Sequence, residues 1–154
     1  MTHPTKTTIN IQRVGDHDLE APQRATDGSA AVDIRACLPE DGTWTLEAGE
    51  EKLIPTGFAI ELPPGLSGLL IIRSGVARKE CLVLRNQVGL IDPDFRNQMM
   101  ISLHNDHDES QAIRHGERIA QLLIVPYIVA DLVEVDELSE TGRGAGGFGS
   151  SGKA

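Results

Sequence analysis

The stretch Gly89 to Gln98, GLIDPDFRNQ, sets two carboxylates, Asp92 and Asp94, around a proline, with Phe95 and Arg96 directly after. An exposed carboxylate beside an aromatic plate can take a proton from water while the ring packs against a sugar. Asp-Pro-Asp is also ordinary turn chemistry, so these residues alone leave both readings open. Arg73, Ser74 and Gly75 close an apolar run with a cation, a hydroxyl and a glycine, the parts of an anion site at a strand end. As a tripeptide they are weak evidence. A Ser-His-Asp triad built on Ser74 has no nucleophile-elbow pattern to support it.

Three further stretches carry polar chemistry. GERIAQL, Gly116 to Leu122, reads as a turn entering a strand, with Arg118 and Gln121 open to structural roles. HNDHDE, His104 to Glu109, has a metal-like composition. Alternate side chains on an extended chain diverge, however, so a solvated acidic loop is the better reading. GFGSSGK near the C-terminus matches Walker A spacing at Gly147, Gly152 and Lys153. That match fails because no Ser or Thr follows the lysine and no helix can follow to face a phosphate. Successive glycine amides can still wrap an anion, which leaves a disordered tail and a phosphate clamp as the two readings.

These residues must be positioned by short elements. With 16 Gly and 8 Pro the chain is cut into brief apolar runs, the pattern of many strands joined by turns. Strands are expected at Thr8 to Val14, Ala31 to Ala36, Phe58 to Leu62, Leu69 to Ile72, Met99 to Leu103, Leu122 to Val125 and Leu132 to Val135. Phe58, Ile60 and Leu62 alternate with Ala59 and Glu61, as a sheet with one dry face requires. Glu117 to Val125 has a pattern that also suits a helix, and strand is preferred there. One short helix is expected over Val76 to Glu80, capped by Ser74. Strands this short and numerous form a sandwich, jelly roll or barrel.

The 154 residues suffice for one domain, and 40% hydrophobic content excludes global disorder. Net charge is −9, from 14 Lys and Arg against 23 Asp and Glu, a surface that repels nucleic acid polymers and anionic membranes. A small phosphate ligand remains compatible, since a few local arginines and amides suffice for it. Two cysteines, Cys37 and Cys81, point to a reducing, cytoplasmic setting, and no run approaches the roughly 18 apolar residues of a membrane span. One Trp, one Tyr and three Phe leave the core to aliphatic residues, so an aromatic outside it needs a reason. From Ser139 onward the chain is glycine- and serine-rich, with Phe148 its one large apolar residue, and cannot fold alone. The expected division is a β-domain over residues 1–138 and a flexible C-terminal arm over 139–154.

Taken in order, AAVDIRA (Ala30 to Ala36), RSGVA (Arg73 to Ala77), NQVGLIDPDFR (Asn86 to Arg96), GERIAQL (Gly116 to Leu122) and RGAGGFGSSG (Arg143 to Gly152) resemble the five motifs of the trimeric dUTPase family. The resemblance covers nearly the whole chain. It implies an all-β, jelly-roll-like (β-clip) subunit with a glycine-rich arm, a homotrimer with sites at subunit boundaries, and Mg2+-assisted hydrolysis of dUTP to dUMP and pyrophosphate. That activity limits uracil incorporation into DNA and supplies dUMP for dTMP synthesis. It further implies Asp92 as the group that orients and deprotonates the attacking water, and Asn86, backbone near Leu90 and Ile91, and Met100 around uracil. Phe95 would lie under deoxyribose. Arg73, Ser74, Gly75 and Gln121 would hold phosphates and the water, and Asp33 would position Mg2+ through water ligands. From the arm, Arg143 would meet the γ-phosphate, Phe148 would stack on uracil, and Gly149, Ser150 and Ser151 would contact substrate.

The sequence departs from the family pattern at Ala31 and Asn97, where glycine is usual, at Ile72 and His115, where proline is usual, and at Phe95, where tyrosine is usual. None of these removes a catalytic group. Two other readings compete. The related dCTP deaminases share the fold but lack the arm and the Asp-centred motif. A nucleotide-sensing interaction protein would use the same scaffold without needing Asp92, Asn86 and Arg143 intact.

Overall fold

A computed structural model describes residues 6–39, 42–142 and 144. Ten strands and one short helix follow in the order β1 (Asn10–Arg13), β2 (Val32–Arg35), β3 (Thr43–Leu46), β4 (Glu51–Glu61), β5 (Leu66–Ile72), α1 (Ser74–Lys79), β6 (Leu82–Leu84), β7 (Gly89–Ile91), β8 (Gln98–Asn105), β9 (Gln111–Arg114) and β10 (Arg118–Pro126). Two four-stranded sheets, ordered β1-β4-β8-β6 and β2-β10-β5-β7, are joined by a β3-β9 ribbon. Every pairing is antiparallel. The all-β expectation holds.

Period-two alternation builds the core. Along β8, Met99, Ile101, Leu103 and Asn105 are buried while their neighbours are half-exposed. Ile34, Leu70, Ile91 and Leu122 from the second sheet join Ile54, Ile60, Leu82 and Met99 from the first in one aliphatic cluster. The polar exception, Asn105, is fully buried, and its amide donates to the carbonyls of Leu46, Glu47 and Glu109 while its oxygen accepts the His107 amide. The HNDHDE stretch is thus a turn built on a structural asparagine, with His104 against Asp106 and His107 against Asp108.

Several boundaries differ from expectation. Of Glu117 to Val125 all but Glu117 is strand, because Ala120 to Pro126 pair residue by residue with β5. Leu132 to Val135 forms no strand: it has no partner edge among the described residues, and Leu132 is 97% exposed. The N-terminal strand shortens to Asn10–Arg13, the residues that face β4. Ser74 is not a cap. Arg73 occupies that position with extended backbone and its amide on the Ile119 carbonyl, so the helix starts at Ser74. β3, β6, β7 and β9 were not anticipated; runs such as LVL and GLI are too short to show a period.

β4 breaks register between Pro55 and Ala59, and Gly57 at the break has φ +75°. A Cβ there would lie 2.4 Å from His17 Nε2 and 2.9 Å from Cys37 Sγ. Arg13 donates to His17 Nδ1, so Nε2 carries the proton and donates to the Gly57 carbonyl at 2.8 Å. The bulge is where the N-terminal segment docks. Gly57→Ala adds left-handed strain and a clash, and is expected to lower stability by about 1 to 3 kcal/mol, read as a lower urea midpoint. An unchanged midpoint would show that the segment docks without the glycine.

Candidate active site

β2 and β10 pair so that Asp33 lies opposite Gln121, and β10 and β5 pair so that Gln121 lies opposite Ile71. Their side chains share the face of the second sheet turned away from the core. Asp33 is only 6% exposed and accepts from three groups: Arg73 Nε at 3.2 Å and Gln121 Nε2 at 3.2 Å on Oδ1, and Arg118 Nη1 at 3.1 Å on Oδ2. A carboxylate taken out of water needs such compensation. Arg73 also donates to the Arg118 carbonyl. Ser74 and Gly75 follow, exposed, as the first residues of α1, whose opening amides a helix leaves without intrahelical partners. Arg73, Ser74, Gly75, Gln121 and Asp33 thus form one constellation, joined by Arg118. Glu80, at the end of α1, has its carboxyl raised above the ordinary value by burial and then by Glu117.

Of the other expected residues, Leu90 and Asp92 lie at the opposite end of the same face. An open depression of about 630 Å³ is lined by Leu90, Asp92, Pro93, Asp94, Ser67, Val125 and Tyr127. Asp92 is exposed at its rim, in a turn closed by the Phe95 amide on the Asp92 carbonyl at 3.1 Å. Phe95 is half-buried and packs against the core cluster. The Ile91 side chain points into the core and its carbonyl accepts from buried Ser67. Asn86 is exposed in the turn between β6 and β7, with Nδ2 beside Gly89. Met100 lies on the outer face of the first sheet opposite Pro55 and does not line the depression. Arg143, Phe148, Gly149, Ser150 and Ser151 lie outside the described residues.

Sequence reasoning missed Ser67, which has no local signature, and Arg118, left open between roles. Tyr127 could have been found, since it is one of few aromatics and is 39% exposed. Two of the departures have local explanations. Asn97 does not adopt positive φ, so a glycine's freedom is not needed there. His115 replaces a proline with a hub: Nδ1 accepts the Leu38 amide at 3.0 Å, so Nε2 donates to Asp18 at 2.9 Å, and this bond holds the Asp18 carboxyl below its ordinary value.

The same fold occurs in dUTPases of known structure. The Staphylococcus bacteriophage 80alpha dUTPase with dUPNHPP superposes with a TM-score of 0.85 at 32% identity, over 96% of this chain and 100% of that one. The dUTPase from Streptococcus mutans superposes with a TM-score of 0.71 at 29% identity, over 79% of this chain and 98% of that one. The architecture is therefore that of the dUTPase β-domain. The sequence model for dUTPase matches residues 17–152, and two bacterial deoxyuridine 5'-triphosphate nucleotidohydrolases align over most of their length. That of Hahella chejuensis is 49% identical over 92% of this chain and 91% of its own, and that of Ralstonia nicotianae 51% over 87% and 90%. The chain belongs to the dUTPase family.

Asp33→Asn keeps an oxygen but removes the charge facing two guanidinium groups. Both arginines are partly solvated, so the expected loss is about 1 to 3 kcal/mol, below the full cost of stranding a buried charge. Urea unfolding of the purified variant measures it, and an unshifted midpoint would mean that the cluster adds nothing to stability.

Proposed function

We propose that the outer face of the second sheet, completed by other copies of the chain, is the active site at which this enzyme works. The chain is a hydrolase that converts dUTP to dUMP and pyrophosphate. In the reaction a water oxygen bonds to the α-phosphorus, the bond to the bridging oxygen breaks, and pyrophosphate leaves. Asp92 accepts the proton of that water and contacts the sugar, with Phe95 under the deoxyribose. Arg73, Ser74, Gly75 and Gln121 hold phosphates and the water. Asn86 and the backbone at Leu90 and Ile91 surround uracil, and the donor and acceptor pattern of that base separates it from cytosine.

One observation carries the shared-site reading. In a single chain Gln121 and the depression at Val125 are four residues apart on β10, roughly 13 Å at the rise of a strand, and Leu69 and Leu123 lie between them. A base that far from the phosphate groups cannot serve them within one copy, so each site takes its base and its arginine from different subunits. The exposed apolar surface supports the homotrimer that the family resemblance implies. Leu90 is 64% exposed, and Ile128, Val129, Leu132, Val133 and Leu138 are more so. Burying each such side chain is worth about 1.5 to 3 kcal/mol. A C3 ring is closed and head-to-tail, so a segment without a partner in its own subunit can pack on the next. Residues 139–154 are the arm that completes a site, with Arg143 at the γ-phosphate, Phe148 on uracil, and Gly149, Ser150 and Ser151 beside them.

Mg2+ is the ion implied, and the chain fits it in one manner. Among the described residues no three His, Cys, Asp or Glu side chains are grouped to hold a metal. Asp33 has three of its roughly four acceptor positions taken, leaving one on Oδ2 for a metal-bound water. Mg2+ carried chiefly by substrate phosphates needs no more, and when bound it would spread the triphosphate charge. A cytoplasmic setting suits Cys37 and Cys81, both free thiols, with the Cys37 thiol pushed up by burial. No described helix is long and apolar enough to cross a membrane.

Pyrophosphate release from each dNTP with Mg2+ tests the substrate, and dUTP alone is expected to be turned over rapidly. Asp92→Asn keeps the shape of the turn and removes the base, so turnover should fall about 100-fold or more while nucleotide binding persists. Near-normal turnover would remove Asp92 from the mechanism.

Light scattering at micromolar concentration is expected to give three times the chain mass, for the full chain and for a version lacking residues 142–154. The shortened version should lose most activity, since the arm would exclude water and complete the phosphate cage. A monomer mass would count against shared sites, and full activity without the arm would make it a passive tail.

A further inference from the structure

The turn that carries Asp92 and Phe95 is held by a side chain to which no role has been given. Arg96 Nη1 donates to the carbonyls of Pro93 at 2.5 Å and Phe95 at 2.9 Å, spanning the turn from within. Its Nη2 reaches Glu61 Oε1 at 3.3 Å, at the end of β4. The second oxygen of Glu61 accepts from Asn10 Nδ2 at 2.8 Å, and Asn10 is the residue that pairs with Glu61 across β1 and β4. We propose that Arg96 is a positioning residue, and that Asn10, Glu61 and Arg96 form a bracket fixing the Asp92 turn to the β1-β4 sheet edge. This rests on the reading of Asp92 as base and Phe95 as the surface under the sugar.

The chemistry suits arginine and not lysine. A planar guanidinium can serve two carbonyls and a carboxylate at once, whereas an ammonium is a point donor on a flexible stem. Both Arg96 and Glu61 are about half exposed, so their ion pair contributes little to global stability. Its effect lies in the placement of the turn. A catalytic group displaced by about 1 Å can cost about 100-fold in rate. The bracket also ends on the Phe95 carbonyl, so loosening it shifts the ring that would separate deoxyribose from ribose. It thereby links the rate of the reaction to its sugar selectivity.

The test compares the parent enzyme with Arg96→Ala, Arg96→Lys, Glu61→Gln and Asp92→Asn, measuring kcat and KM for dUTP and UTP with Mg2+, and the thermal midpoint. Arg96→Ala is expected to lower kcat for dUTP about tenfold or more and to reduce the preference for dUTP over UTP, with a midpoint within about 2 °C of the parent. Arg96→Lys should recover part of both losses, and Glu61→Gln should move them the same way by less. An Arg96→Ala protein whose kcat and nucleotide preference stay within about twofold of the parent, beside an inactive Asp92→Asn, overturns the bracket and leaves the base in place. Full turnover in Asp92→Asn instead removes the base, and the nucleotide preference of Arg96→Ala then decides the bracket through Phe95 alone. Should Arg96→Ala fail to fold, Arg96→Lys and Glu61→Gln carry the same comparison: parent-like preference in both overturns it.

Discussion

The carboxylate of Asp33 is the interaction on which the cluster of Arg73, Arg118 and Gln121 depends. It comes from β2, yet it organises Gln121 and Arg118 from β10 and Arg73 from the junction of β5 and α1. Buried to 6% exposure, it is compensated only because these donors converge on it. The relation is reciprocal. Arg73 and Gln121 are long side chains with many rotamers, and a shared acceptor restricts both before a substrate arrives, which lowers the cost of ordering them on binding. Asp33 thus serves placement first, and one remaining acceptor position is what it can offer to a water on an ion.

From that anchor the outer face changes character along the strands. Polar groups and Ile71 stand at one end, Leu69 and Leu123 in the middle, and the Asp92 depression at the other. A band of aliphatic side chains between two halves of a site is a poor arrangement for a monomer, since it leaves apolar surface in water and the reacting groups far apart. It suits a ring of copies, where one subunit's band is covered and its halves are completed by neighbours. Tyr127 extends the same surface.

The two ends are also held differently. Around Asp33 the shared acceptor is a buried carboxylate, although its arginine partners are partly solvated. The Asp92 turn is held from beneath by Ser67 on the Ile91 carbonyl and from the side by exposed Arg96. A buried hydrogen bond resists displacement because breaking it strands a desolvated group, whereas an exposed one exchanges readily with water. The Asp92 turn therefore has more freedom than the cluster around Asp33.

The sequence by itself determined the fold class, since short alternating aliphatic runs with frequent Gly and Pro admit few arrangements other than a closed or layered β-domain. It also determined the family, because five motifs in order carry information that no single motif does, and it marked Asp33, Arg73, Asp92 and Gln121 for the site. Tertiary structure alone decided what pairs with what. Glu117 to Val125 is ambiguous by period and became strand because β2 and β5 flank it with open edges. Leu132 to Val135 has strand composition and formed none, because a strand requires an edge to pair with and the described residues offer it no partner. Ser67 and Arg118 carry no local pattern, and their roles arise from partners 24 and 85 residues away. Hydrogen bonds between distant residues depend on register and twist, which are properties of the assembled sheets.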